Sequence, residues 1–273
     1  MADPATIADL VLSGAARIYD LEQPRFAGMP LHPSHHPGYF YALYRRHQDT
    51  YNPPRQGPRS SASGVLTMME HSGTHIDALS HQAENLHLHG DISAAEVTTP
   101  YGFRRLGIEE VPPIVARGVL LDLAGLKGVE RLPERYAFTA DDLEAAESAQ
   151  GVRVEPGNVL LVRTGFAALW RQPEQYLQAA GASAGASRWA AERGVVAVGA
   201  DNMAWDAPDE RDPETGADLP AHVLLLVRAG IYIIENLNFE ELARTRAYTS
   251  LFVCLPLKLV GATGSPVRPV AIA

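Results

Sequence analysis

Short apolar runs rich in Val, Ile and Leu punctuate the chain at Val119–Leu123, Val159–Val162, Val195–Val198, Ile231–Ile234 and Leu251–Leu259. Their length suits strands, and the absence of apolar/polar alternation predicts burial on both faces of a sheet. Between them lie helix patterns with marked ends. Thr139 stands as an N-cap before Asp141 and Asp142 in a first turn, and Gly151 follows the last turn. A second helix is expected from about Ser187 to Arg193, stopped by Gly194. A third begins near Pro220, runs through Leu224–Val227 and stops at Gly230. A fourth, short helix is expected with Asn238 as N-cap and Glu241 in the capping-box position. Strands interleaved with helices predict an α/β protein, a mixed sheet with flanking helices in one domain spanning 1–273.

Residues 22–64 break this pattern. Pro, Gly, His, Tyr and Arg dominate there, and a long ordered loop in a compact domain usually shapes a site. The segment is therefore read as a substrate-side flap, with His35, His36, Tyr39, Phe40, Tyr41 and Tyr44 available to stack on an aromatic ligand or to form a lid or dimer contact.

Composition narrows the function. With 46% hydrophobic and 20% charged residues the chain can bury a full core, which excludes disorder as its main state. Against 23 Lys+Arg stand 32 Asp+Glu, a net charge of -9, the wrong sign for neutralising phosphates or anionic lipid. Neither nucleic acid nor membrane is expected as a partner. The N-terminus has no basic n-region or long apolar run, so no signal peptide is expected. The lone Cys254, inside an apolar run, is expected to be a buried small hydrophobe, and the reducing cytoplasm is the expected location.

Five of the ten histidines, His71, His75, His81, His87 and His89, fall within 19 positions, where even scattering would put about 0.7. The centre of this cluster is His71-Ser72-Gly73-Thr74-His75-Ile76-Asp77-Ala78-Leu79-Ser80-His81. Imidazole nitrogen with carboxylate oxygen suits borderline divalent ions, and two His plus one carboxylate leave coordination positions open for chemistry. Gly73 lets the chain turn between His71 and His75, while in an extended segment His75 and Asp77 share a face. A lone histidine is more often a hydrogen-bonded core residue than a ligand, but the spacing taken whole favours metal. His222, in the first turn of the third helix, and Glu235, ending the strand at Ile231–Ile234, can be brought together by a short turn. A buried Glu after four apolar residues needs a partner, either a metal or an arginine such as Arg228 or Arg268.

The His71–His81 motif resembles the metal-dependent cyclase or kynurenine formamidase-like hydrolases, a family that includes isatin hydrolase. The likeness extends to Ala221–Leu225, Gly230–Leu237, Leu255–Lys258 and Gly261–Pro269, and covers about residues 17–271. The resemblance implies a swivelling β/β/α fold, hydrolysis of the amide bond of an aryl formamide or a cyclic lactam, and one or two bound Mn²⁺ or Zn²⁺. It implies that His71, His75 and Asp77 hold a first metal, that His81 is the general acid/base, and that Asp77, His222 and Glu235 hold a second ion. It also implies a homo-oligomer, a dimer or higher. Formamidases usually carry Pro where this chain has Leu79, which shifts the expected substrate away from formylkynurenine while leaving every liganding residue type in place, and the long flap before the motif resembles isatin hydrolase-type members more than the compact formamidases.

Two rival readings remain. One is a non-catalytic binding protein stabilised by a closed metal site. The other is a serine hydrolase, because Gly181-Ala182-Ser183-Ala184-Gly185 formally matches a nucleophile elbow with Asp201 and His222 following. The preceding residues do not read as a buried strand, so Ser183 or Ser187 is expected to be a helix cap instead. His87 and His89 are expected to bond locally. Trp205, after a buried strand, is expected to be a pocket wall or plain packing.

Overall fold

The computed structural model describes Asp9 and residues 11–273. Residues 1–8 and Leu10, within the stretch read for a signal peptide, lie outside the described residues. One nine-stranded mixed sheet organises the chain. Its strands are β1 (Ile18–Asp20), β4 (His75–Asp77), β5 (Ile114–Asp122), β6 (Val159–Arg163), β7 (Ala197–Ala200), β8 (Tyr232–Glu235), β9 (Thr249–Cys254), β10 (Gly264–Pro266) and β11 (Val270–Ile272), with β2 (Phe40–Arg45) and β3 (Ser63–Thr67) forming a separate hairpin. The order across the sheet is β1-β11-β9-β5-β6-β7-β8-β4-β10. The four central strands β5 to β8 run parallel, and β4 pairs antiparallel with β8.

The central strands read as unbroken apolar runs because both faces are covered. Val119, Leu121, Leu160, Val162 and Val198 join one core with Phe138, Trp189 and Leu225, while Leu120, Leu161 and Ile234 join a second with Ile76, Phe239 and Phe252. Helix α1 (Ala140–Gln150) begins with a reciprocal cap: Thr139 Oγ1 accepts from the Asp142 N–H at 3.3 Å and the Asp142 carboxylate accepts from the Thr139 N–H at 3.0 Å. Gly151 ends it in the left-handed region. Helix α2 (Ala184–Glu192) starts earlier than its apolar pattern suggests, because Ser183 Oγ caps the Ala186 N–H. Helix α3 (His222–Ala229) is wound as a π-helix and stops at Gly230. Helix α4 (Glu240–Thr245) lacks the expected capping box: Asn238 bonds the Glu240 N–H, and Glu241 pairs with Arg17. The last apolar run leaves the sheet after Cys254, before Pro256, which has no N–H to give a ladder. Cys254 is buried, as expected.

The flap has two parts. Its first part is fastened to the body: Leu21 and Met29 are buried, the Gln23 N–H donates to Thr74 Oγ1 at 2.9 Å, and the Trp170 indole donates to the Pro24 carbonyl at 2.7 Å. The β2–β3 hairpin, in contrast, exposes Phe40, Tyr41, Leu43, Tyr44, Val65 and Leu66. Among the described residues, no helix is long and apolar enough to cross a membrane.

Candidate metal centre

Parallel strands place their carboxyl ends along one edge, where α/β proteins build sites. Here that edge carries Asp122, Arg163 and Glu235 at the strand ends and Asp201 just past β7. The β8–β4 pairing sets Glu235 opposite His75, and β4 continues to Asp77. Gly73 turns the chain at φ +66 between His71 and His75, and a Cβ there would come within 3.1 Å of the Arg25 side chain. Asn236 Nδ2 holds the Gly73 carbonyl at 2.9 Å and its own carbonyl accepts from Thr74 Oγ1 at 2.7 Å, tying the ligand loop to the end of β8. Gly264 makes room for the His71 ring, which a Cβ there would meet at 2.6 Å.

All six residues singled out for metal and acid/base chemistry converge. His75 Nδ1 lies 2.8 Å from the Gly73 carbonyl and so donates to it, which leaves Nε2 facing Glu235 Oε2 at 3.4 Å and Asp77 Oδ1 at 3.5 Å. His222, at the start of α3, has Nδ1 3.0 Å from Asp206 Oδ2, with Nε2 3.6 Å from Glu235 Oε1 and 3.8 Å from Asp77 Oδ2. His71 Nδ1 lies 2.7 Å from Asp77 Oδ1, and its Nε2 lies 2.8 Å from Thr263 Oγ1. His81 stacks on His71 with ring centroids 3.9 Å apart. Two overlapping ligand sets result, His71/Asp77/His81 and His75/Asp77/Glu235, each with its donor atoms within 4.8 Å of one another.

The electrostatics follow from burial without a neutralising arginine among the described residues. Arg228 pairs with Glu84 and Glu214, and Arg268 with Asp20 and Glu22, so the ion-pair alternative for Glu235 does not hold. Burial opposes ionisation of Asp77, but His81, His71 and His75 outweigh it and hold the carboxyl well below the usual carboxylate range. Burial likewise opposes charge on His222, yet Asp206 and Glu235 raise its pKa well above the ordinary value. Burial pushes His81 down to about 3, helped by His71 and His222 and opposed by Asp77, so its imidazole is neutral at pH 7.

These residues fit a divalent cation. Asp77 Oδ2 is buried with no hydrogen-bond partner, His75 and His222 have their outer nitrogens tied so that Nε2 faces inward, and the field that raises the His222 pKa favours positive charge. The N/O donor set suits a borderline ion.

Other expected residues lie elsewhere. Trp205 is fully enclosed, edge-on to Phe138, with its indole donating to Ser187 Oγ at 3.1 Å, which is the packing alternative of the two expected for it. Phe40 stands on the hairpin at 55% exposure, and Tyr39 is half-buried against the core. His87 and His89 bond the carbonyls of Asn85 and Val227. Ser183 caps α2, and His222 is committed to Asp206 rather than to a serine, which removes the elbow. Sequence reasoning missed Asp206, whose distance of sixteen positions from His222 forms no local motif, and it left His35 among many flap aromatics. His35 lies 5.1 Å from the His71 ring; burial, then His71 and His75, push it down to about 4.

Known proteins resemble this chain in sequence and fold. A family model described as "Putative cyclase" matches residues 19–207. Cyclase-like protein 2 of Oryza sativa subsp. japonica is 29% identical over 222 residues, covering 79% of this chain and 66% of the rice protein, slightly under two thirds of its length. A crystal structure described as a novel cyclase is 29% identical with a TM-score of 0.85, over 98% of this chain and 90% of the other. Isatin hydrolase A from Labrenzia aggregata, bound to benzyl benzoate, is 26% identical with a TM-score of 0.73, over 98% of each chain.

Proposed function

The chain belongs to the Cyclase family, and from that premise we propose a metal-dependent hydrolase that opens a small-molecule C–N bond, in a cyclic amide of the isatin type or an aryl formamide. The observation that carries this reading is the convergence of Asp77 and Glu235 with His71, His75, His81 and His222, in which one oxygen of Asp77 has no hydrogen-bond partner and no arginine among the described residues neutralises the carboxylates. In this reading His71, His75 and Asp77 would hold a first Mn²⁺ or Zn²⁺, and Asp77, His222 and Glu235 would hold a second where two bind. A divalent ion bound there polarises a carbonyl and lowers the pKa of water towards roughly 7.

The protein's own groups supply the rest. In this reading His81, stacked on His71 beside the ligand set, takes a proton from water at a ring nitrogen and returns it to the leaving nitrogen. Asp206 fixes the His222 ring through Nδ1, and the Gly73 carbonyl does the same for His75. Tyr39 and Phe40, where the flap enters the hairpin, are proposed to line the substrate's approach. The exposed apolar hairpin supports a homo-oligomer, because an isolated two-stranded hairpin is marginally stable in water. The lone buried Cys254 supports residence in the cytoplasm.

The test is a turnover screen of Mn²⁺- and Zn²⁺-loaded protein against isatin, formanilide and cyclic imides. Hydrolysis of a member of this panel, abolished by a chelator and restored by metal, is expected. A protein that takes up metal yet turns over no amide returns the closed-site binding protein.

A further inference from the structure

The flap reaches the cluster through one side chain. His35 lies over His71 with planes 26° from parallel and centroids 5.1 Å apart, and 6.2 Å from the His81 ring. Behind it His32 sits at 5.6 Å, and the His32 carbonyl accepts the His35 N–H at 2.9 Å, so the turn at 32–35 fixes where the ring stands. The base of this segment is held to the ligand loop by Gln23 and Arg25, both bonded to Thr74. Among the described residues, no protein group hydrogen-bonds the His35 ring nitrogens, whereas the other rings of the cluster are positioned by such bonds or by stacking inside it. An imidazole at the lip of a site carries a donor and an acceptor that a ligand's polar edge satisfies.

We propose that His35 is a substrate-contacting residue that reaches in from the flap and hydrogen-bonds, through a ring nitrogen, the amide edge of a planar carbonyl compound seated beside His81. This rests on the hydrolase reading above and adds a selectivity to it: a polar amide edge is preferred over hydrocarbon at that position. The hairpin aromatics Phe40, Tyr41 and Tyr44 face solvent and Trp205 is enclosed, so the imidazole is the flap group in ring contact with the cluster.

Calorimetry on the full-length chain separates the two claims. Wild type, His35→Phe, His35→Ala and His35→Gln are titrated first with Mn²⁺ and then with acetohydroxamate, a small amide that also chelates a divalent ion. Mn²⁺ affinity is expected to stay within about twofold in all four, while acetohydroxamate weakens about fivefold in the Phe and Ala variants and stays within about twofold in Gln, the size of one neutral hydrogen bond. Equal acetohydroxamate binding by His35→Phe and wild type overturns the proposal, since the ring then only packs. So does a parallel loss of Mn²⁺ affinity, which makes His35 a support for His71, and so does a wild type that takes Mn²⁺ but no acetohydroxamate. A wild type that binds neither Mn²⁺ nor, in the same titration, Zn²⁺ ends the hydrolase reading itself, and the His35 proposal with it.

Discussion

The carboxyl edge of the four parallel strands carries two polar constellations of opposite character. At the ends of β5 and β6, Arg163 bonds Asp122 at 2.9 Å, both oxygens of Glu240 at 2.9 Å and the Glu130 carbonyl at 3.1 Å. Beside it, Asp201 accepts from the Thr164 N–H and hydroxyl at 2.7 Å each and from the Gly165 N–H at 2.8 Å. Burial opposes charge on Arg163, but Glu240 and Asp122 raise its pKa above the ordinary guanidinium value. Two strands further on, at β8 and β4, two carboxylates and four imidazoles gather without an arginine or lysine among the described residues and leave Asp77 Oδ2 unpartnered. In a closed network each charge is satisfied by its neighbours, and removing one partner leaves a buried charge uncompensated. An open one at the same sheet edge is unfinished without something else, and unsatisfied buried groups mark function.

Substitutions at each end test this contrast. The largest effect is expected at the open end: His81→Ala keeps its metal and lowers kcat about 10²- to 10⁴-fold on the amide identified by screening. Turnover that survives this change removes His81 as the acid/base. At the closed end, Arg163→Ala leaves the buried Asp122 carboxylate without its cation and is expected to cost roughly 3 kcal/mol of stability in urea unfolding, with metal affinity unchanged. A loss of metal affinity there would erase the distinction between the two ends. Asp206→Asn, which loosens His222 without touching a ligand atom, is expected to weaken metal binding about 10- to 100-fold in a chelator competition.

The smallest effect lies outside both constellations. Burial pushes the Cys254 thiol up to about 12. The neutral thiol is favoured in the fold, so its contribution is complete below the ordinary thiol pKa of about 8.5 and is lost as pH rises from there towards 12. Native protein at pH 8 is expected to resist a thiol reagent until it is unfolded. Rapid labelling of the folded protein would contradict the burial.

Much of this was legible in the sequence, for a physical reason. Strands covered on both faces have to be apolar throughout, so Val159–Val162 and Ile231–Ile234 announced the central sheet, and Thr139 with Gly151 announced the ends of α1. The ligand loop was legible because its residues are local, spaced by a turn and a short strand. What stayed hidden depends on distant packing. Asp206 meets His222 only after α3 docks, Ser183 rather than Ser187 opens α2, and Trp205 turns inward to Ser187 instead of lining the site. Glu235 was legible as a buried carboxylate, but the choice between metal and arginine required knowing that Arg228 and Arg268 are engaged elsewhere.

The central claim is that the open constellation is completed by a cation. Metal content per chain, measured by plasma mass spectrometry on protein purified without affinity-tag metals and then equilibrated with Mn²⁺ or Zn²⁺, tests it most directly. One or two ions per chain, lost in His75→Ala, is the predicted result. A wild-type protein that holds no ion after such equilibration would contradict the account.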